Sequence, residues 1–321
     1  MGKYMKKRER FWIPGFLMLF FVPYIGVMAV NGVEAAIINR TPQPEEYIPL
    51  ILSLQIPDDY EKEAVKAQAV IARTNFFRKI QEKNISDALG EISREIEKEK
   101  TEWFFPEKIY EKAAEETRGQ VLISEGELKL VPYHEISNGQ TRDGTQAFHD
   151  QEYSYLKSVD SSGDKNSPFY LNSTYIPEQQ MPSELNIEQR DASGHVVSLM
   201  ADEDILEGEA FAQGMGLSSS DFSIQKVGGE FRFLCKGRGH GLGFSQYGGN
   251  QLAREGKNWK EILGTYFPAM EVAVYEEKNS GNNGKCLYTE SCCLLFPVCC
   301  MYAGKEALCV VCRFYCTKFC I

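Results

Sequence analysis

The strongest hydrophobic pattern in the chain is an uncharged run near its N-terminus, from Phe11 to Val30. An apolar helix of this length can cross a lipid bilayer. Basic residues precede the run and keep that end in the cytoplasm; they are Lys3, Lys6, Lys7, Arg8 and Arg10. The pattern predicts one N-terminal transmembrane helix in a single-pass protein of the cell membrane, with the main domain extracytoplasmic.

The fate of this segment depends on the residues that follow it. Val33-Glu34-Ala35 places small residues at about the spacing that a signal peptidase recognises, but the apolar run is longer than most signal-peptide cores. We therefore expect residues 1–36 to remain as an anchor, with cleavage as the alternative. A terminal position and flanking charges argue against a buried core helix.

A helical pattern begins after Pro57. Asp58 and Glu61 have the spacing of a helix N-cap and its N3 partner. Apolar residues follow at helical intervals, namely Ala64, Ala67, Val70, Ile71 and Phe77. The spacing predicts a helix with one buried stripe that runs to about Ile80.

Downstream, helical and strand-like patterns are mixed. Helices are expected at 86–100, 106–117 and 259–266, and strands at 120–123, 127–133, 194–200 and 230–235. The first two strands should form a hairpin through Glu125-Gly126, with His134 at its end. Residues 143–193 are rich in turn-forming residues and are expected to be a loop-rich insertion. Together the patterns predict an α+β domain over 37–277, with mixed β-sheets and flanking helices.

Between Cys235 and Gly256 six glycines surround His240. Glycine is favoured where the backbone has positive φ or approaches another group closely, so we expect a tight loop against a ligand or another backbone. General motifs do not explain the segment. A dinucleotide fingerprint would need glycine where Phe244 stands, a P-loop would need Gly-Lys-Ser/Thr, and a nucleophile elbow would need one residue fewer between Gly243 and Gly248.

Composition narrows the class of protein. The chain has 321 residues, 43% of them hydrophobic, which is enough for a globular core. Its formal net charge of −10 excludes nucleic acid as an expected partner, because phosphate binding requires a basic surface.

Cysteine usage is concentrated at the C-terminal end. Nine of the ten cysteines fall between Cys286 and Cys320, and the tenth is Cys235. A disulfide knot and a zinc site are both open interpretations of the cluster. We favour an accessory tail over 278–321 without a catalytic role, and out-of-frame coding sequence is one origin for it.

Three segments, in order, resemble the SpoIID/LytB family of stage II sporulation protein D. The glycine-rich GRGHGLGFSQYGGNQLAREGKNWKEILGTYFP resembles the family signature. PEEYIPLILSLQIPDDYEKEAVKAQAVIARTNFF is similar to its opening segment, and YHEISNGQT resembles its histidine-bearing middle motif. The three matches cover most of Glu45 to Pro268.

The resemblance implies a protein that acts on peptidoglycan glycan strands during engulfment of the forespore. Sporulation members of the family are lytic transglycosylases, which cleave the bond between N-acetylmuramic acid and N-acetylglucosamine in peptide-free strands. The resemblance also implies two protein partners, an amidase and a membrane scaffold. We expect the glycan cleft to lie between the Gln55 segment and the glycine-rich loop.

The family's catalytic glutamate stands two residues before the proline that precedes the long helix, and Gln55 occupies that position here. Cleavage needs a carboxylic acid that protonates the leaving oxygen, which an amide cannot do. Asp58, Asp59 and Glu61 are poor substitutes if they cap the helix as carboxylates. Two hypotheses stay open: a lytic transglycosylase, and a glycan-binding or scaffold relative that has lost catalysis.

The resemblance and side-chain chemistry suggest further site residues. His240 is a catalytic candidate at the position of the signature histidine, or a residue that fixes its own turn. Tyr247 would pack on a sugar ring or belong to the core, and Arg73 would reach the cleft or form a surface ion pair. The other substrate-binding candidates are His134, Arg238, Ser245 and Gln246.

A metal site is not expected. In some family members a histidine that matches His134 binds zinc with two nearby cysteines, but residues 135–150 contain no cysteine. We therefore predict neither a metal nor a cofactor.

Overall fold

The computed structural model of the protein describes residues 43–83, 85–99 and 107–275, together with Phe21 and Ile25. Within these residues, no helix is both long and apolar enough to cross a membrane. Apart from Phe21 and Ile25, the predicted anchor Phe11–Val30 lies outside the described residues, and so does the cysteine-rich tail.

Helices and strands are interspersed along the domain. The helices are α1 Ile48–Gln55, α2 Lys62–Glu82, α3 Ile85–Glu99, α4 Lys108–Glu116, α5 Gly144–Phe148, α6 Gly208–Gly214, α7 Gln246–Arg254 and α8 Trp259–Tyr266. The strands are β1 Gln120–Ile123, β2 Tyr133–His134, β3 Leu171–Pro177, β4 Leu185–Arg190, β5 Val196–Ala201, β6 Asp204–Glu207, β7 Phe222–Val227, β8 Glu230–Lys236, β9 Phe244–Ser245 and β10 Glu271–Val274.

The described strands form four small sheets. Strand β1 pairs antiparallel with β10, and β2 pairs parallel with β9. Two three-stranded antiparallel sheets have the orders β3-β8-β7 and β4-β5-β6. This arrangement confirms the predicted α+β class. The expected helices over 86–100, 106–117 and 259–266 and the strands near 194–200 and 230–235 are present, with their ends shifted by a few residues at most.

Helix α2 is the centre of the helical part of the domain. It packs against α1, α4, α7, α8 and β1. All five residues of the predicted apolar stripe are buried, but so are polar residues on other faces, such as Gln68 and Thr74. The helix therefore has neighbours on several sides, which a single amphipathic stripe does not reveal.

The predicted start of this helix is wrong by several residues. Asp58 and Asp59 lie in a turn, and the N-cap position is Glu61, whose side chain makes no capping hydrogen bond. The backbone N–H of Glu61 donates instead to Asn250 Oδ1 at 2.8 Å, from helix α7. A contact with a distant segment thus positions the helix start, in place of the local capping box.

The predicted hairpin is correct only in its first strand and its turn. Glu125 and Gly126 have φ of 55° and 78°, and a bridge joins Ser124 to Glu127. The second strand is not formed over 127–132, because the Asn75 side chain binds both the N–H and the C=O of Val131, at 2.9 and 2.7 Å. Strand β1 pairs instead with β10, far along the chain.

The segment 143–193, expected to be a loop-rich insertion, contains the two strands β3 and β4. Strand β3 alternates exposed and half-buried residues and pairs with β8, more than fifty residues away. No local turn signal marks such a pairing.

Arg73 ties the start of the domain to the helical core. Its side chain is fully buried, and Nε donates to Glu45 Oε1 at 2.8 Å. Its other nitrogens donate to Thr117 Oγ1 at 3.3 Å and to the carbonyl oxygens of Gln120 at 3.2 Å and Ala114 at 2.9 Å. Burial lowers the pKa of the guanidinium, and the Glu45 carboxylate opposes that shift. Arg73 was a candidate for the glycan cleft, but its side chain is buried and has a structural role.

Replacing Arg73 by methionine should strongly destabilise the domain. The change removes the cation that pairs with Glu45 and a donor to buried carbonyl groups, which typically costs about 3–5 kcal/mol. Urea unfolding of Arg73→Met measures the loss. The matched control is Arg78→Met on the same helix, where a partly exposed pair with Glu82 is worth under about 1 kcal/mol. Equal losses in the two variants would contradict the structural role of Arg73.

Candidate functional site

The first half of the glycine-rich segment is a loop that packs against the chain around β2. Four glycines at alternate positions have φ between 67° and 102°: Gly237, Gly239, Gly241 and Gly243. A Cβ at position 243 would lie 2.2 Å from the oxygen of Pro132, and one at 239 would lie 2.8 Å from His134 Cβ. The close approach that the glycines permit is therefore to protein groups, which is one of the two predicted alternatives.

The second half of the segment is helix α7, which was not predicted, because glycine lowers helix propensity. Ser245 caps this helix: its Oγ accepts from the N–H of Gly248 at 3.2 Å and donates to Asp164 Oδ2 at 2.7 Å. Ser245 is fully buried. It is a helix cap rather than the sugar-binding hydroxyl that the sequence suggested.

Three glutamines meet where α1, α2 and α7 come together. Gln246 Nε2 donates to the carbonyl oxygen of Gln55 at 2.7 Å and to Gln68 Oε1 at 3.3 Å. Gln68 Nε2 donates in turn to Gln55 Oε1 at 2.9 Å. Gln68 and Gln246 are buried, and Gln55 is half-buried. Because Oε1 of Gln55 is engaged by Gln68, Nε2 is the amide atom left for contact with a ligand.

Gln55 lines a pocket of about 540 Å³. The pocket combines backbone, amide, phenol and carboxyl groups and is lined by Ser53, Leu54, Gln55, Ile56, Pro57, Asp58, Tyr60, Glu107, Tyr110, Glu135 and Gln246. Its size is within the range of about 300–1,000 Å³ typical of small-ligand sites. The predicted residues Gln55 and Gln246 are thus brought together in one wall of a cleft.

Two tyrosines line the pocket. Burial is the main cause that raises the pKa of both Tyr60 and Tyr110 to about 12. Both therefore stay protonated at neutral pH. The Tyr110 hydroxyl donates to the oxygen of Ile56 at 2.7 Å, which holds the segment after Gln55 in place.

The carboxyl groups of the pocket are all exposed. They belong to Asp58, Glu107 and Glu135. Glu135 also faces a cation, since Arg238 Nη1 lies 3.3 Å from its Oε2. Among the lining residues none is a buried carboxyl, which is the environment that keeps a catalytic acid protonated.

Two further predicted residues lie beside the pocket without being part of its lining. Tyr247 is half-buried and its backbone N–H donates to the oxygen of Glu135 at 3.0 Å. The Arg238 guanidinium lies over the ring of Phe169, 5.7 Å from its centroid, and reaches the pocket only through Glu135.

The predicted histidines form a separate cluster. His134 and His240 have ring centroids 5.8 Å apart, and neither lines the pocket. His134 Nδ1 is 3.0 Å from the oxygen of Leu242 and donates to it, while His240 Nδ1 accepts from the N–H of Leu242 at 3.0 Å. His240 thus fixes its own turn, and the structure does not bring it to Gln55.

Sequence reasoning missed several residues of these sites. Buried His195 is within electrostatic reach of His134 and His240, and it sits beside the 2.8 Å ion pair of Arg142 with Asp191. Tyr60 and Glu107 line the pocket although nothing in their local pattern marks them. No group of three or more histidine, cysteine or carboxylate residues in the described parts of the chain could hold a metal ion.

Comparison with known proteins shows which family shares this sequence. The SpoIID family model, described as a stage II sporulation protein, matches residues 32–123. The stage II sporulation protein D of Bacillus amyloliquefaciens is 28% identical over 254 residues, which covers 71% of this chain and 74% of the relative. That of Bacillus subtilis is 26% identical, with the same two coverages. The chain is similar to the SpoIID family.

An additional relative extends the comparison beyond the bacilli. An uncharacterized protein of Brachyspira hyodysenteriae is 25% identical over 285 residues, covering 81% of this chain and 73% of the relative. The similarity to SpoIID confirms the resemblance carried by the three motifs and supports a role in sporulation. The family-model match includes Gln55, Gln68 and most of the pocket lining, whereas Glu135 and Gln246 lie beyond it.

The histidine cluster should make the stability of this domain depend on pH. Burial, followed by the charge of His240, lowers the pKa of His134 to about 3 from an ordinary value of 6.5. Between these values the unfolded chain binds a proton that the folded chain does not, so stability falls as the pH drops below 6.5. His134 contributes up to about 1.4 kcal/mol per pH unit in that window.

Urea unfolding between pH 7 and pH 4 tests this dependence. We expect His134→Asn, which can keep the hydrogen bond to Leu242, to show a shallower loss than the wild type. The control is His149→Asn, an exposed histidine with φ of 55°, a conformation that asparagine tolerates. An unchanged slope in His134→Asn would show that His134 is not buried in its neutral form.

Proposed function

We propose that this sporulation protein binds peptidoglycan glycan strands in the pocket beside Gln55 without cleaving them through that residue. The observation that carries the proposal is the position of Gln55. It stands where the family resemblance places the catalytic glutamate, and its side chain is held in the pocket wall by Gln68.

The groups around the pocket suit a sugar ligand. Sugar hydroxyls both donate and accept hydrogen bonds, and the lining offers amide and phenol donors together with carboxylate acceptors. Tyr60 adds an aromatic surface that can pack against a sugar ring. The mixed polar and aromatic lining is typical of a site that orients a polar ligand without a metal.

Gln55 cannot supply the proton that the lytic reaction needs. The leaving glycosidic oxygen must be protonated as the bond breaks, and the same group must then take a proton from the muramyl C6 hydroxyl. A carboxylic acid can perform both steps, whereas a neutral amide can perform neither. We infer that Gln55 acts as a hydrogen-bond donor to the glycan through Nε2.

The hydrogen bonds around residue 55 would also suit a glutamate. Gln68 Nε2 donates to Oε1 of residue 55, and a glutamate oxygen would accept the same bond. Gln68 is itself oriented by Gln246. A glutamate at position 55 would therefore fit the existing hydrogen bonds.

Lytic transglycosylase activity from another acid is the second candidate function. One observation favours it: Asp58, Glu107 and Glu135 place three carboxyl groups on the pocket wall. Their exposure weighs against it, because burial is the usual means of keeping an acid protonated at neutral pH.

The membrane location and the protein partners are proposed from the family resemblance and from the N-terminal hydrophobic pattern. We infer an extracytoplasmic domain attached to the membrane by Phe11–Val30. It would work beside an amidase that removes stem peptides and a membrane scaffold of the engulfment machinery.

Incubation of the full chain with peptide-free glycan strands tests the proposal. We expect the wild type to bind the strands and to release no anhydro-muramyl ends by mass spectrometry. Gln55→Glu should release anhydro ends at least about 10²-fold above the background seen with the wild type, since general acid–base help is worth about 10²–10⁴-fold.

Gln55→Ala is the control, because it removes the amide without adding an acid and should stay inactive with weaker glycan binding. Release of anhydro ends by the wild type would overturn the proposed loss of catalysis, and glutamine variants at positions 58, 107 and 135 would then identify the acid. Absence of glycan binding by the wild type would overturn the binding function.

A further inference from the structure

The three-stranded sheet β3-β8-β7 has an open edge at β3. Among the described residues, no strand pairs with the side of β3 that faces away from β8. Strand β3 contains no charged residue, and its pairing with β8 has no register shift. Edge strands of soluble proteins usually carry charges, prolines or bulges that prevent pairing with another chain. Here the strand has only Pro177, at its end.

The pairing with β8 shows which backbone groups of β3 point outward. In an antiparallel pair, every second residue exchanges hydrogen bonds with its partner. The N–H of Gly237 donates to the oxygen of Tyr170 at 2.7 Å, so the even-numbered positions bond to β8. The N–H and C=O groups of the odd-numbered positions therefore point away from β8. The odd-numbered residues with both groups are Leu171, Ser173 and Tyr175, here called the β3 edge.

The outward hydrogen-bonding groups end at both sides of the β3 edge. Both backbone groups of Phe169 are engaged near its own turn, where its N–H donates at 3.2 Å and its oxygen accepts at 2.8 Å. At the other end, Pro177 has no N–H. A partner strand can therefore form backbone hydrogen bonds over the five residues from Leu171 to Tyr175. Such main-chain bonds provide the affinity when a peptide adds to a sheet edge.

The side chains of the β3 edge lie on the solvent-facing side of the sheet. Leu171 and Tyr175 are 55% and 51% exposed, and Ser173 between them is also exposed. The even-numbered residues of β3 are half-buried, because they lie on the face that covers the core. The edge thus presents an apolar side chain at each end and a small hydroxyl in the middle.

Arg232 of strand β8 places a positive charge beside the middle of the edge. Its Nε and Nη2 donate to Ser173 Oγ at 3.2 and 3.1 Å, and its guanidinium lies 6.0 Å from the centroid of the Tyr175 ring. Its Nη1 donates to Gln225 Oε1 at 3.4 Å. These partners are all neutral, and Arg232 forms no ion pair with a carboxylate of the described residues. The charge is therefore available to a partner strand.

This charge argues against a second copy of the chain on the same edge. Twofold pairing through the β3 edge would set Ser173 opposite Ser173 of the other copy. Each of these serines holds an Arg232 guanidinium, so two cations would meet without a carboxylate between them. Like charges placed together across an interface are unfavourable. A carboxylate opposite Ser173 would instead form a charge-assisted hydrogen bond with Arg232.

We propose that the β3 edge binds an extended acidic segment of another protein by β-strand addition. The segment has Asp or Glu opposite Ser173 and apolar side chains opposite Leu171 and Tyr175. Alternate residues of a strand face the same side, so these three side chains are two residues apart in the segment. None of the edge residues lines the pocket beside Gln55, and the inference does not depend on glycan binding.

Fluorescence anisotropy of the full chain with labelled heptapeptides tests this interaction. The probe is Thr-Val-Thr-Glu-Thr-Val-Thr with both ends blocked, and the comparison peptide has lysine in place of the glutamate. We expect the glutamate peptide to bind at least about tenfold more tightly, with the difference shrinking as salt is raised. N-methylation of the glutamate amide removes one N–H of the ladder and should also weaken binding by about tenfold.

Two variants of the protein connect this binding to the edge. Ser173→Pro removes an outward N–H and keeps the bonds to β8, because an edge strand tolerates proline where its N–H faces solvent. It should weaken binding of the glutamate peptide by at least about tenfold. Arg232→Gln keeps a donor for Ser173 Oγ without the charge, and should bind the glutamate and lysine peptides equally. The matched control is Arg254→Gln on helix α7, which removes another partly exposed arginine and should keep the wild-type preference.

Equal binding of the glutamate and lysine peptides by the wild type would overturn the acidic partner. Binding that is unchanged in Ser173→Pro and with the N-methylated peptide would overturn the edge as the site. Failure of the wild type to bind any of the peptides would overturn the inference as a whole. A dimer in light scattering that becomes a monomer in Ser173→Pro would assign the edge to a second copy and overturn it as well. Arg232→Gln and the N-methylated peptide keep the test decisive if the proline variant does not fold.

Discussion

The hydrogen bonds among Gln55, Gln68 and Gln246 are the interaction on which the candidate site depends. They join the end of α1, the middle of α2 and the start of α7, three elements that are far apart in sequence. Each amide has distinct donor and acceptor ends, so the orientation of one side chain fixes the next. These hydrogen bonds between the three helices therefore hold residue 55 in the pocket wall.

The glycine-rich segment stabilises the hydrogen bonds among the three glutamines. Its glycines let the loop lie against the chain around β2, and Ser245 begins α7 while bonded to buried Asp164. Asp164 also accepts from the N–H of Ser137 at 2.8 Å, which holds the chain segment after β2 in place. The composition of this segment predicted a tight loop against a ligand or another backbone, and the loop packs against protein groups and positions Gln246.

Local patterns predicted much of the fold but little of the site. The buried stripe of α2 and the extent of α8 could be read from periodicity, because each depends on its own residues. The start of α2 and the pairing of β1 could not, since Asn250 and β10 determine them from a distance. Gln55 was found only through a family resemblance, and Tyr60 and Glu107 joined the pocket through packing that leaves no local signal.

A structure of the full chain bound to a peptide-free muramyl tetrasaccharide would test the central claim most directly. The account predicts a sugar in the pocket beside Gln55, with a sugar oxygen within hydrogen-bond distance of Gln55 Nε2 and Gln68 still bonded to Oε1. Sugar bound elsewhere on the domain, with the Gln55 pocket empty, would contradict it.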